Sequence, residues 1–226
     1  MTLQDIDLRY ERTRGGLYTP RNVAVGGNLA VDGTLTLGGT TITAATAKAL
    51  GIVDPTPADY GLISWACPPT NVSSSGGGAS GTVYYMRVYV PTAQTITGIS
   101  LYQVTAGSGL TAGQNLLALL DAAGTRVAVT ADQSTAWASG TQVNKDAAFT
   151  TPYTPVPGWH VIAALPNGTT PPVWPKGPPS GAANAGYRLA APYPQMNSGS
   201  GQTSIPASVD YNTLSRGSST FWAGLY

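Results

Sequence analysis

The chemistry open to this chain is bounded by a short inventory, since its 226 residues contain one histidine, His160, and one cysteine, Cys67. A Ser-His-Asp triad would have to use His160, and no Gly-x-Ser-x-Gly elbow is present to raise a serine toward it. In Trp159-His160-Val161-Ile162 strand alternation puts His160 opposite to Trp159, the setting of a hydrogen-bonded sheet histidine. A zinc site needs three or four His, Cys or carboxylate ligands, and one His with one Cys is a poor start. Cys67 precedes Pro68-Pro69 and reads as a small buried hydrophobe that can close no intrachain disulfide. Asp121, Asp132 and Asp146 are the carboxylates a glycosidase would pair, yet they lie near turn sequences, where Asp bonds the backbone. Gly107-Ser-Gly109-Leu-Thr-Ala-Gly113 lacks the Gly-Lys-Ser/Thr ending of a phosphate loop and reads as a strand connection. No catalytic residue, metal or cofactor is expected.

Binding is the more serious prospect. Trp137, Tyr153, Trp159, Trp174 and Tyr193 are candidates for an aromatic platform, because a flat ring suits the apolar face of a sugar. The competing reading assigns the same rings to the core and to contacts between subunits.

The elements that must position these residues are short. Hydrophobic residues make up 42% of the chain, only 9% are charged, and there are 28 Gly and 18 Pro. Apolar residues in strand-sized runs between such breakers predict many short strands and turns. Strands are expected over 62–67, 82–90, 95–104, 116–120, 126–131, 159–165 and 220–226, with loops over 73–80, 106–113, 122–124 and 166–168. Tyr84, Met86, Val88 and Val90 are expected to face the core. No long helix interrupts the series, so residues 59–226 read as an antiparallel β-sandwich of jelly-roll type, within an all-β protein. Pro171 to Pro206 shows no clear period and reads as an excursion held against the sandwich by its aromatics or as a contact surface toward a neighbour, with hidden strands such as Tyr187-Arg188-Leu189.

Before this head the chain changes character. Asn22 to Thr43 falls into hexads, Val23-Ala-Val25-Gly-Gly-Asn, Leu29-Ala-Val31-Asp-Gly-Thr and Leu35-Thr-Leu37-Gly-Gly-Thr, with a decayed copy at Thr41-Ile42-Thr43. Apolar residues two apart share one face of a short strand, and Gly-Gly or Asp-Gly turns the chain. A strip this thin has nothing of its own to pack against, so its partners are copies from neighbouring subunits. A trimer with an axis lined by Val23, Val25, Leu29, Val31, Leu35, Leu37 and Ile42 is expected. Residues 43–51 carry a helix composition, and Ile52-Val53-Asp54-Pro55-Thr56-Pro57 reads as a stiff extended neck. Residues 1–21 hold seven of the chain's charged side chains, with Ile6, Leu8 and Tyr10 alternating against charges. That pattern predicts an attachment arm that adds a strand to another protein through Ile6, Leu8, Arg9, Tyr10, Arg12 and Arg14; the alternative is a mobile terminus.

The hexad strip resembles the stalk segments of bacteriophage tail-fibre and head-fibre proteins. Gly81 to Ala138, and especially the run TAGSGLTAGQNLLALLDAAGTRVAVTADQSTAWAS that ends at Ser139, resembles a β-sandwich head domain in structural proteins of actinobacterial phages and prophages. The resemblance implies a non-enzymatic virion structural protein. Its expected layout is an attachment arm over 1–21, an oligomeric stalk and neck over 22–58, and an outward head over 59–226. The expected place is the virion surface after assembly in the host cytoplasm, as a homotrimeric head fibre or decoration whose arm grips the major capsid protein or another virion protein. The alternative is a tail fibre whose head binds host cell-wall glycans; a glycan hydrolase is the remote one. A formal net charge of +1 gives no electrostatic case for nucleic acid, and no run of 18 apolar residues predicts a membrane span.

Overall fold

The structure, a computed structural model, describes residues 35–37, 40–42, 55–177, 191–217 and 220–226. The chain divides into two units, Met1–Asp54 and Pro55–Tyr226. In the first, β1 (Leu35–Leu37) and β2 (Thr40–Ile42) pair antiparallel, with Leu35 opposite Ile42 and Leu37 opposite Thr40. The hairpin joins the third hexad to the decayed fourth across the Gly-Gly pair. The expectations for Ile6, Leu8, Arg9, Tyr10, Arg12 and Arg14, for Val23, Val25, Leu29 and Val31, for a helix over 43–51 and for a strand at 187–189 lie outside the described residues. So do the side chains of Leu35, Leu37 and Ile42.

The second unit is all-β. Its strands are β3 (Ser64–Trp65), β4 (Ser74–Gly77), β5 (Tyr84–Val90), β6 (Ile96–Gln103), β7 (Ser108–Leu110), β8 (Leu116–Leu120) and β9 (Arg126–Val129). After one helical turn, α1 (Ser134–Trp137), come β10 (Val143–Tyr153), β11 (Gly158–Leu165), β12 (Gly168–Thr170), β13 (Val173–Lys176), β14 (Gln195–Asn197), β15 (Ser215–Arg216) and β16 (Ala223–Leu225). A four-stranded sheet runs β10-β6-β16-β3 and a six-stranded sheet β15-β14-β5-β11-β8-β9, all antiparallel, beside the two-stranded pairs β12-β7 and β13-β4.

The main core lies between the two large sheets. As the alternation of β5 predicts, Met86, Val88 and Val90 enter it, where they meet Ile99 and Leu101 of β6, Leu117 and Leu119 of β8, Ile162 of β11 and Leu225 of β16. Many of the alternate residues of the six-stranded sheet are buried as well. Val83, Tyr85, Ala118, Leu120, Val161, Ala163 and Leu165 form a second core on the other face of the six-stranded sheet, beneath Ile205, Val209 and Tyr211. A strand buried on both faces can be apolar throughout, which is why Leu-Leu-Ala-Leu-Leu in β8 and Val-Ile-Ala-Ala-Leu in β11 show no alternation.

The cover over this second face is irregular chain, fastened by hydrogen bonds. Arg126 N–H donates to the carbonyl of Ala207 at 2.9 Å, Val209 N–H to that of Gly124 at 3.0 Å, and the Tyr211 hydroxyl to that of Asp121 at 2.8 Å. Gly124 sits at φ +90°, and a Cβ there would stand 2.0 Å from the Val209 carbonyl oxygen, so only glycine lets the cover close. Asn115, fully buried, staples the loops at one end: its amide donates to the carbonyls of Thr111 at 2.8 Å and Asn167 at 3.0 Å, and its oxygen accepts from Asn167 N–H at 2.9 Å.

Several expectations change here. Ser74–Gly77 and Ser108–Leu110, read as loops, are strands, because β13 and β12 supply backbone partners that need no side-chain pattern. The longest strand, β10, had not been expected. Asp146 lies within it, opposite Ser100, rather than near a turn. Asp121 and Asp132 do serve turns: Asp121 Oδ1 accepts from the N–H groups of Ala123 at 2.9 Å and Thr125 at 2.8 Å, and Asp132 from Asn115 N–H at 3.1 Å.

Candidate functional site

Of the five candidate platform residues, the structure withdraws two. Trp137 at the end of α1 and Trp174 in β13 are both fully buried, packed edge to face with centroids 5.2 Å apart, and Trp174 meets Phe221 at 5.5 Å. Neither can touch a ligand; they close the core where α1 and β13 cap it. Tyr193 is half-buried, and its ring lies beneath the Arg216 guanidinium, 3.9 Å from the centroid. Besides Tyr193, Trp159 and Tyr153 remain, and these two line one cavity.

Trp159 is the first residue after Gly158 in β11 and stands opposite Tyr89 of β5. Both belong to the face that carries the second core. Further along, Tyr85 and Ala163 are sealed beneath the cover; at its margin Arg87 Nη1 donates to the Pro192 carbonyl at 3.0 Å. Beyond Arg87 the cover stops. Tyr89 is 51% exposed and Trp159 46% exposed, which makes them the strongest apolar outcrop on the sheet. Their rings meet edge to face at 5.1 Å, and the Arg87 guanidinium carbon lies 4.2 Å from the Trp159 ring centroid. Packing against the indole and the cover removes water from Arg87, and this desolvation lowers its pKa from the ordinary guanidinium value.

Two cavities meet at this indole. One, about 540 Å³, runs between Arg87, Tyr89 and Trp159 on one side and Pro57, Trp65, Cys67 and Pro68 on the other. The other, about 320 Å³, is lined by Asp121, Ala122, Ala123, Tyr153, Val156 and His160 together with Trp159. The Cys67 thiol is half-buried in the first, and desolvation raises its pKa to about 11, so at neutral pH it is a protonated thiol and not a nucleophile. In the second, His160 lies almost fully buried on the inner side of β11, its Nδ1 3.3 Å from the Gly158 carbonyl and its ring 6.2 Å from that of Tyr153. His160 and Asp121 share this cavity, but no Ser, Thr or Cys lines it, so the pair has no hydroxyl or thiol to activate.

A third cavity, about 440 Å³, is lined by Tyr60, Leu62, Ser100, Tyr102 and Trp222. Among the described residues no group of three or more His, Cys, Asp or Glu could hold a metal ion, and no helix is long and apolar enough to cross a membrane. Asn167, which matches the N-glycosylation pattern, is held on all sides: its amide nitrogen donates to Gln114 Oε1 at 2.7 Å, and its oxygen accepts from Ser80 at 2.9 Å.

Sequence reasoning had Trp159 but missed Tyr89 and Arg87. Alternation in Val83-Tyr-Tyr85-Met-Arg87-Val-Tyr89 had placed both on the face away from the core, and the cross-strand register supplied their neighbour. No protein-family model matches the chain, and no curated protein shows significant similarity to it. Function has to be read from the residues themselves.

Proposed function

We propose that the chain is a non-enzymatic virion structural protein, a homotrimeric fibre or decoration on the virion surface. Residues 1–21 attach it to the major capsid protein or another virion protein, the hexad strip forms its stalk, and the sandwich is displayed outward. The observation that carries this reading is the β1-β2 hairpin: paired strands occur where the hexad pattern calls for them, in a segment too thin to bury its own apolar residues. A head whose larger sheet carries a buried core on each face supports it as well. Chain crossings between the sheets, from β5 to β6 and from β9 through β10 to β11, fit the jelly-roll form of such a head. The test is the molar mass of the full chain by light scattering. Three times the 23.1 kDa of one chain is expected, falling toward one in a Val31→Asp, Leu37→Asp double variant, whose charges no neighbour could pair. A monomeric unmutated chain would overturn the stalk.

One observation favours a second reading, a tail fibre whose head binds host cell-wall glycans. The half-exposed Tyr89 and Trp159 are the kind of ring surface that sugar recognition uses. Imaging labelled protein on intact particles separates the two, with density at the capsid expected for the first reading and at the tail for the second.

A further inference from the structure

We propose that Trp159 is the shared wall of a two-sided carbohydrate site, taking a chain of neutral pyranose rings from the Arg87–Tyr89 side to the Asp121–Tyr153 side. This deepens the glycan-binding reading by naming the site and the ligand, and it does not depend on where the protein sits on a particle.

The platform is already in its working position. Trp159 is fixed by an edge contact with Tyr89 and by the guanidinium of Arg87, itself anchored to the Pro192 carbonyl, so little side-chain freedom remains to be lost on binding. Arg87 covers the ring from the first cavity and does not line the second, so the indole is met from two different sides. Both cavities fall in the range of small-ligand sites, about 300–1,000 Å³.

Hydrogen-bonding groups stand where a sugar needs them. Asp121 spends Oδ1 on the N–H groups of Ala123 and Thr125, which pins the carboxylate, while Oδ2 accepts none of the described hydrogen bonds and is left for a hydroxyl. Arg87 engages only Nη1 among the described side-chain bonds, leaving the rest of its fork to donate. Gly158, at φ +145°, has nothing within 4 Å of where a Cβ would be, so a ligand can approach the backbone beside the indole. Flat rings, a free carboxylate oxygen and a partly free guanidinium answer the two sides of a pyranose, its apolar C–H face and its hydroxyl rim.

The charges decide between ligand classes. One cation on one side and one anion on the other favour neither a polyanion nor a polycation across the whole site. A second copy of this chain would meet an apolar surface here as well, but neither a free carboxylate oxygen nor an open backbone is called for in such a contact.

The experiment uses the full chain. Cellohexaose, chitohexaose, mannohexaose and a galacturonate hexamer serve as probes in tryptophan-fluorescence titration and calorimetry. Trp137, Trp174 and Trp222 are buried, so quenching reports chiefly on Trp159, with half-buried Trp65 beside it. Saturable binding of at least one neutral hexaose is expected, weakened about tenfold or more by Trp159→Ala. Trp159→Phe should keep part of it, Asp121→Asn should weaken it less, and Val143→Ala, an exposed side chain that lines neither cavity, should leave it unchanged. A silent panel, binding of the galacturonate alone, or binding indifferent to Trp159→Ala overturns the site. A fall in molar mass on Trp159→Ala also overturns it, because the outcrop is then a contact between subunits. Light scattering of the unmutated chain keeps this separate from the stalk: a silent panel with an intact trimer removes only the site, and sugar binding by a monomer removes only the stalk.

Discussion

Two aromatic pairs in the second unit share one edge-to-face geometry and differ in everything else. Trp137 and Trp174 meet edge to face at 5.2 Å and 76°, and Tyr89 and Trp159 at 5.1 Å and 71°. The first pair is sealed where α1 and β13 close the core; the second stands where the cover over the six-stranded sheet runs out. Ring-to-ring contact by itself therefore says nothing about role. What separates the pairs is whether a further layer of chain lies above them, and the lower layer of a two-layer cover is where a large aromatic becomes structural.

The sharpest way to break the contrast is to truncate each pair in turn. Trp174→Ala removes a fully buried indole touching both Trp137 and Phe221, and should lower stability by about 3–5 kcal/mol in chemical denaturation. A loss below about 1 kcal/mol would mean that the site collapses around the gap or that the ring is not held as described.

The same contrast runs along β5, where Tyr85 lies under the cover and Tyr89 beyond it. Desolvation pushes the Tyr85 hydroxyl from 10.0 up to about 12, and the same cause raises that of Tyr211, helped by the nearby Asp121 carboxylate. A pKa raised in the folded state gives stability that is whole below the unfolded value and lost as pH rises toward the folded one. Melting temperature should therefore fall between about pH 10 and 12, each group costing up to about 1.4 kcal/mol per pH unit across that window. Tyr85→Phe should make the fall shallower; an unchanged slope would show that this hydroxyl ionises freely.

The smallest effect is expected at the outer pair. Trp159→Ala loses a half-exposed ring, one edge contact and one guanidinium stack, so its cost should stay near 1 kcal/mol. A loss as large as that of Trp174→Ala would make this pair structural too and would erase the comparison.

How far the sequence could be read follows from the same layering. Leu116–Leu120 was legible to the residue because five apolar positions between turn signals leave no other choice, and β5 was legible from its alternation. Strand β10 was not, since only Ala147 and Phe149 of its residues are buried and Lys145 with Asp146 interrupts any apolar run. Strand β4 is Ser and Gly and β7 is Ser-Gly-Leu, and both exist only through their partners. For the site, the sequence offered five rings and no means of sorting them. Burial of Trp137 and Trp174 depends on residues far away in the chain, whereas Trp159 owes its exposure to where one irregular segment ends.

One consequence of β10 concerns behaviour in a crowd. It forms the outer strand of the four-stranded sheet; Phe149 bridges Thr130 and the Thr150 hydroxyl donates to the Val129 carbonyl at 3.1 Å, so only part of this margin is open, and an open margin is a template on which a neighbouring copy can add itself strand by strand. Here the successive charges of Lys145 and Asp146 fall on alternate sides of the ribbon, the register slips between Ala148 and Tyr153, and Pro152 offers no N–H. Each device makes edge-to-edge zipping unfavourable. Such an edge disfavours strand addition by a second copy, a protection that a chain with a formal net charge of +1 could not obtain from net repulsion.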